Sequence, residues 1–153
     1  MKTTNFKIPA LLMTLLVFSF SCSQAQDGKK LSSDEVSQEE IKIGKTFITD
    51  FYDALDNGSS YDFKKNNSTD LMVKSFSPEV QKNAYEKIKS QLGDYENVEY
   101  EEAWVVSSNP DLKVLRYKGD FTGHNSKVEV RVVLDDDDKI AGFYVIPWSD
   151  MMM

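Results

Sequence analysis

The hydrophobic period of this chain changes once, near Asn97, and that change limits the folds open to it. Before it, apolar residues recur at spacings of three and four; after it, they alternate with polar ones. The first pattern buries one stripe of a helix, the second one face of a strand. Helices first and strands afterwards leave no place for the crossovers that a parallel sheet needs. The order points to an α+β domain whose helices lie on one face of an antiparallel sheet.

In the helical half, Ser37-Gln38-Glu39-Glu40 has the form of a capping box directly ahead of an apolar run. Ile41, Gly44, Ile48, Phe51, Tyr52 and Leu55 then keep helical spacing, Ile43, Phe47 and Ala54 widen the stripe, and Asn57-Gly58 closes it. The next stretch, with Tyr61, Phe63, Leu71, Met72, Val73 and Phe76, has no clean period and is expected to form one or two short helical turns broken at Asn66-Asn67. Ser77-Pro78-Glu79 restarts a helix, with Ser77 as N-cap, Pro78 in the first turn and an acid at the positive end of the dipole. Val80, Ala84, Ile88 and Leu92 mark its buried face, with Tyr85 beside them, and Gly93 stops it.

Four strands follow. Val98, Tyr100, Trp104 and Val106 share a parity; so do Leu115, Tyr117 and Phe121, against Arg116, Lys118 and Asp120; so do Val128, Val130, Val132 and Leu134, against Lys127, Glu129 and Arg131. "KIAGFYVIPW" is apolar throughout, as a central or well-covered strand would be. Asn109-Pro110-Asp111, Gly123-His124-Asn125 and Asp135 to Asp138 supply turns of hairpin length. The expected fold is three helices packed on one face of a curved four-stranded antiparallel meander, occupying 39–148, with 149–153 as a flexible tail.

The N-terminus reads as an export signal. Lys2 and Lys7 precede a continuous apolar run, Ile8 to Phe20, which is too short for a permanent span and does not alternate faces. Two cuts are open. A cut before Cys22 makes 1–21 a signal peptide of the lipoprotein type and Cys22 an acylated N-terminus, since Ser21-Cys22 resembles a relaxed bacterial lipobox. A cut after Ala25 uses Ser23-Gln24-Ala25 and yields a secreted or periplasmic soluble protein. Cys22 is the only cysteine, so no disulfide competes for it. Lipidation of Cys22 is the expected outcome, with several acyl chains anchoring stably where one would not. Residues 22–38, polar and aperiodic, are expected to be a tether.

Losing Lys2 and Lys7 with the leader takes the formal charge from −7 to −9, and no basic stripe offsets it. Such a surface repels nucleic acid. His124, the single histidine, lies in a Gly-flanked turn without an orienting partner, and a zinc site would need further ligands. Asp135 to Asp138 lack the alternating spacing of a calcium loop and read as an acidic hairpin. The chain has no phosphate-binding glycine loop, nucleophile elbow or Cys/His pair. No cofactor, metal or catalytic residue is assigned.

One residue breaks the alternation. Glu102 shares its parity with Tyr100 and Trp104, which puts a carboxylate toward the helices unless a bulge turns it outward. Facing the core, it would be a pocket acid whose desolvation raises its pKa. The candidate pocket is Glu102, Tyr52, Trp104, Tyr117 and Tyr144.

Helix order, "FYDALDNGSSYDF" (Phe51 to Phe63), "IKSQLGDYENV" (Ile88 to Val98) and "KVEVRVVLDDDDKIAGFYVI" (Lys127 to Ile146) together resemble the nuclear-transport-factor-two-like, cystatin-like fold. More closely, the chain looks like small exported bacterial domains of unknown function built on that plan, in which a charged hairpin introduces a last strand ending Gly-aromatic-aromatic, here Gly142-Phe143-Tyr144. The resemblance covers 41–148 and carries no catalytic motif. The function expected is a cell-envelope lipoprotein that binds a small ligand or an envelope protein without catalysis, held to the membrane by its lipid anchor. The alternatives are a cofactor-free isomerase or hydrolase, with Glu102 as base and Tyr52, Tyr117 or Tyr144 as donor, and an inhibitor or accessory subunit using the sheet's outer face, where Arg116, Lys118, Glu129 and Arg131 lie.

Overall fold

Both helix caps expected from sequence form in the computed structural model, which describes residues 28–107 and 111–150. In helix α1 (Gln38–Asp56), Ser37 Oγ accepts from the Glu40 amide at 3.0 Å while the Glu40 carboxylate accepts from the Ser37 amide, closing the capping box. The broken stretch yields one short helix, α2 (Asp70–Ser75), capped by Thr69. Helix α3 (Pro78–Leu92) begins at the proline, with Ser77 Oγ accepting from Val80 N at 3.4 Å, and ends at Gly93, whose φ is +85°. Gln81 is buried in α3 and fastens the preceding loop: its amide accepts from Tyr61 N and donates to the Tyr61 and Phe76 carbonyls.

The sheet has five strands where four were expected: β1 (Gly28–Lys30), β2 (Tyr95–Val106), β3 (Leu112–Phe121), β4 (His124–Leu134) and β5 (Ile140–Pro147), antiparallel and in that order. The additional strand comes from the stretch read as tether. Gly28 pairs with Val106 and Lys30 with Trp104, Val36 joins the core, and Glu35 accepts from the Ser32 amide and hydroxyl and from Lys29. These contacts, Lys29 first and then Ser32, hold the Glu35 carboxyl down to about 2. The segment is polar yet ordered because its backbone groups complete the exposed edge of β2. The leader, Cys22 and residues 151–153 lie outside the described residues.

Of the two readings of β5, central or well covered, the first does not hold: it is the edge strand that ends the meander, covered at its start by a bridge from Ser68 to Ile140, whose carbonyl accepts from Thr69 N and whose amide donates to the Asn67 carbonyl. The β3–β4 hairpin turns at Thr122-Gly123, so His124 already belongs to β4, opposite Phe121. The expected acidic turn is built by its first carboxylate: Asp135 accepts from the Asp137 and Lys139 amides, and Asp138 takes φ 58°.

The core lies between the helices and one face of the sheet, where Phe47, Ile48, Phe51, Tyr52, Ile88 and Leu92 meet Val98, Ala103, Leu115, Tyr117, Val130 and Val132. Phe47 and Phe51 contact Phe143 at ring separations of 5.2 and 5.0 Å. Gly44 lets α1 approach β3 closely: a side chain there would collide with the ring and hydroxyl of Tyr117, which donates to the Ile41 carbonyl at 2.8 Å. Among the described residues, no helix is long and apolar enough to cross a membrane.

Candidate functional site

The bulge that was one of two readings of Glu102 is present, since the β2–β3 register shifts between Tyr100 and Glu102. The extra residue inverts the parity of everything after it. Val98 and Tyr100 pack with the helix-side core, then Ala103 does, while Trp104 and Val106 join a smaller apolar cluster on the outer face with Leu112, Val114, Val133 and Ala141. The expectation that Val98, Tyr100, Trp104 and Val106 share one face is therefore corrected.

Glu102 faces outward but not into open water. It pairs in register with Arg116, ion-pairs with Arg116 and Lys30, and accepts from Trp104 Nε1 at 2.8 Å. Arg116 is 0 % exposed on the face opposite the helices. Its Nε and Nη2 grip the two oxygens of Glu129, also 0 % exposed, at 2.7 Å each. Arg131 closes on the same Glu129 carboxylate. Cover comes from the chain's end: Trp148 lies on the guanidinium at 4.6 Å, Lys118 Nζ sits 4.7 Å from the same ring, and the Ser149 carbonyl accepts from Arg116 Nη2. Ser149 and Asp150, read as part of a flexible tail, belong to this strap, with Asp150 accepting from Trp148 Nε1.

Burial pushes the Glu102 and Glu129 carboxyls up, and their partners more than reverse it. Lys30, Trp104 and Arg116 bring Glu102 below the usual carboxylate range, and Arg116 and Arg131 do the same for Glu129. Arg116 is held further toward its charged form by Glu129 first. The raised pKa expected of a core-facing Glu102 is thus replaced by a lowered one, because charge pairing outweighs desolvation. A carboxylate committed to two cations is a weak proton acceptor at neutral pH.

The five candidate pocket residues do not converge, because the sheet separates them. Tyr52 and Tyr117 are fully buried on the helix side, whereas Glu102, Trp104 and the exposed Tyr144 belong to the other face. Tyr144 stands opposite Arg131 in the β4–β5 register. Tyr52 stacks on Tyr95 at 4.4 Å, and its hydroxyl is buried without a hydrogen-bond partner among the described residues. Burial, with Tyr95, Tyr85 and Asp56 nearby, pushes that phenol's pKa up, and burial does the same at Tyr117.

Next to Tyr52 the end of α1, the loop after it and the start of α3 enclose an open groove of about 670 Å³. Leu55, Pro78 and Tyr85 give it apolar walls, and Ser59, Ser60, Glu79, Lys82 and Glu86 a polar and charged rim. Tyr85 is fixed by donating to Asp56 and accepting from Lys89 at 3.0 Å, and Lys89 ion-pairs with Asp94 at 2.6 Å. Neither the groove nor the Arg116–Glu129 pair was singled out from sequence. The pair left a trace in Arg116, Glu129 and Arg131, same-face residues on adjacent strands, which the sequence placed together on the outer face of the sheet. Comparison with known proteins returns no match, whether to a family model, a curated sequence or a solved structure.

Proposed function

We propose that the chain is an exported envelope lipoprotein, anchored through Cys22, whose α+β domain binds a ligand or envelope protein and performs no catalysis. The observation that carries the non-catalytic half is the commitment of Glu102, its best candidate base, to Lys30, Arg116 and Trp104. The binding half draws on the α1–α3 groove, whose apolar walls and rim of hydroxyl and charged groups suit a small amphipathic molecule or a short peptide segment. The anchor draws on the leader and the single cysteine. Helix order and an antiparallel meander support reading the domain as cystatin-like, although fold alone does not assign function. The inhibitor alternative is less well supported, since the charges it would present at Arg116 and Glu129 are buried beneath Trp148.

Two measurements test the reading. Intact mass of the mature native protein should show an acylated Cys22, and an unmodified N-terminus at Gln26 would sink the anchor. In an NMR screen of small aromatic and aliphatic fragments against the mature chain, shifts should gather at Leu55 and Tyr85 and disappear in Tyr85→Ala. Fragments gathering at Glu102, or being chemically converted, would return the case to the enzyme alternative.

A further inference from the structure

We infer that the sheet end formed by Gly28, Val106, Leu112 and the Asp135–Asp138 hairpin is the membrane-facing end of the domain, resting on a zwitterionic lipid surface. The inference rests on the Cys22 anchor proposed above and adds an orientation to it. Read from sequence, the tether ran from 22 to 38. In the structure Gly28 is already paired in the sheet, so five residues, 23–27, lie in sequence between Cys22 and the first described strand.

Six residue steps from Cys22 to Gly28 span at most about 20 Å when fully extended. Strand β3, with 10 residues, runs about 33 Å. The leash is thus shorter than the sheet, and it is tied at one end of it. Gly28 pairs with Val106, Val106 with Leu112, Lys113 with Leu134, and Leu134 with Ile140, so these residues share that end. Phe121, Pro147 and the end of α3 at Gly93, which meets Thr122 and Gly123, lie at the other.

The chemistry of the near end selects the lipid. Trp104 beside Gly28 and Leu112 at the start of β3, both half-buried, can meet the interfacial region. Four lysines at this end are paired with carboxylates, Lys29 with Glu35, Lys30 with Glu102, Lys113 with Glu40 and Lys139 with Asp137, while Lys42, in the first turns of α1, is exposed. Asp135, Asp136 and Asp138, the hairpin aspartates beyond the one paired with Lys139, add negative charge. An anionic surface would push this end away, and a zwitterionic one would not.

The test uses the full acylated protein in vesicles, where Cys22 is blocked and an introduced cysteine is the sole free thiol. A donor dye at Asp136→Cys, at the near end, is compared with one at Gln91→Cys, near the end of α3, for energy transfer to a headgroup-labelled lipid. In phosphatidylcholine vesicles, transfer from position 136 should exceed that from 91 several-fold. A long Gly/Ser insertion after Gln26 should erase the difference. Adding phosphatidylglycerol at low salt should lower transfer from 136, and salt should restore it. Equal or reversed transfer in an acylated protein overturns the orientation and leaves the anchor standing. A rise in transfer with phosphatidylglycerol overturns the choice of lipid. Absence of acyl chains on the native protein overturns the anchor and, with it, this inference.

Discussion

Each face of the sheet has a fully buried patch, and the two patches are built by opposite chemistry. On the helix side, Ile48, Phe51 and Leu115 are 0 % exposed among hydrocarbon and aromatic rings; on the outer side Arg116 and Glu129 are also 0 % exposed, among charges. Apolar burial is non-directional and accumulates with area, so the helix side tolerates change in proportion to lost volume. An ion cluster has no such gradation. Attraction between Arg116 and Glu129 offsets their desolvation only while both are present and well aligned, which makes each partner costly to remove singly. The Trp148 strap serves both chemistries, excluding water with its ring while its neighbour's carbonyl accepts a hydrogen bond from the guanidinium.

The largest effect expected follows from that asymmetry. Arg116→Ala leaves Glu129 buried with a weakened counter-ion set and should cost about 3 to 5 kcal/mol in urea denaturation. The double variant Arg116→Met, Glu129→Leu should lose less than Arg116→Ala alone. Phe51→Ala, on the other face, should also cost about 3 kcal/mol or more, with no partner substitution that recovers it. A double variant no better than the single would mean that the outer face behaves as an ordinary core.

A smaller effect tests how closely α1 rides on the sheet. Gly44→Ala drives a methyl group into Tyr117 and should cost about 1 to 3 kcal/mol, the usual range for overpacking. In a Tyr117→Leu background the same substitution should cost clearly less, since the colliding hydroxyl and ring edge are gone. Additive losses would place the strain elsewhere.

The pH dependence of the outer face has a definite sign. The folded-state pKa of Glu102 lies below its unfolded value of about 4.3, so its contribution is fully present above that value and is lost as pH falls through the folded one. Glu102→Gln should therefore be less stable than wild type at neutral pH, with the gap narrowing as acid is added. A gap that widens in acid would mean a carboxyl kept protonated by burial. At the small end of the scale, Ser77→Ala should remove about 1 kcal/mol through the lost N-cap of α3, read by the shift in denaturation midpoint.

Legibility from sequence followed the range of each signal. Ser37, Ser77, Pro78 and Gly93 act within a few residues of themselves, and the elements they delimit appear where their pattern placed them. The parity of β3 and β4 was readable for the same reason. In β2 one inserted residue near Glu102 was enough to reverse the parity of Trp104 and Val106, because a period of two carries no tolerance for a bulge. The five candidate pocket residues were grouped by chemical type, and the sheet they belong to turned out to divide them.

The order of the three helices and the four strands after them, the caps, the acidic turn and the alternation of β3 and β4 were determined by the sequence alone, because each rests on local backbone geometry and the short-period burial of side chains. Only the tertiary structure decided that Gly28–Lys30 is a strand, that Arg116 and Glu129 are interior residues, and that Trp148 to Asp150 form a strap. Each of these depends on a partner distant in the chain: the open edge of β2, a matched charge on the next strand, a guanidinium on β3. A three-residue strand has too little periodicity to announce itself, and the same charged side chain is exposed or buried according to what folds over it.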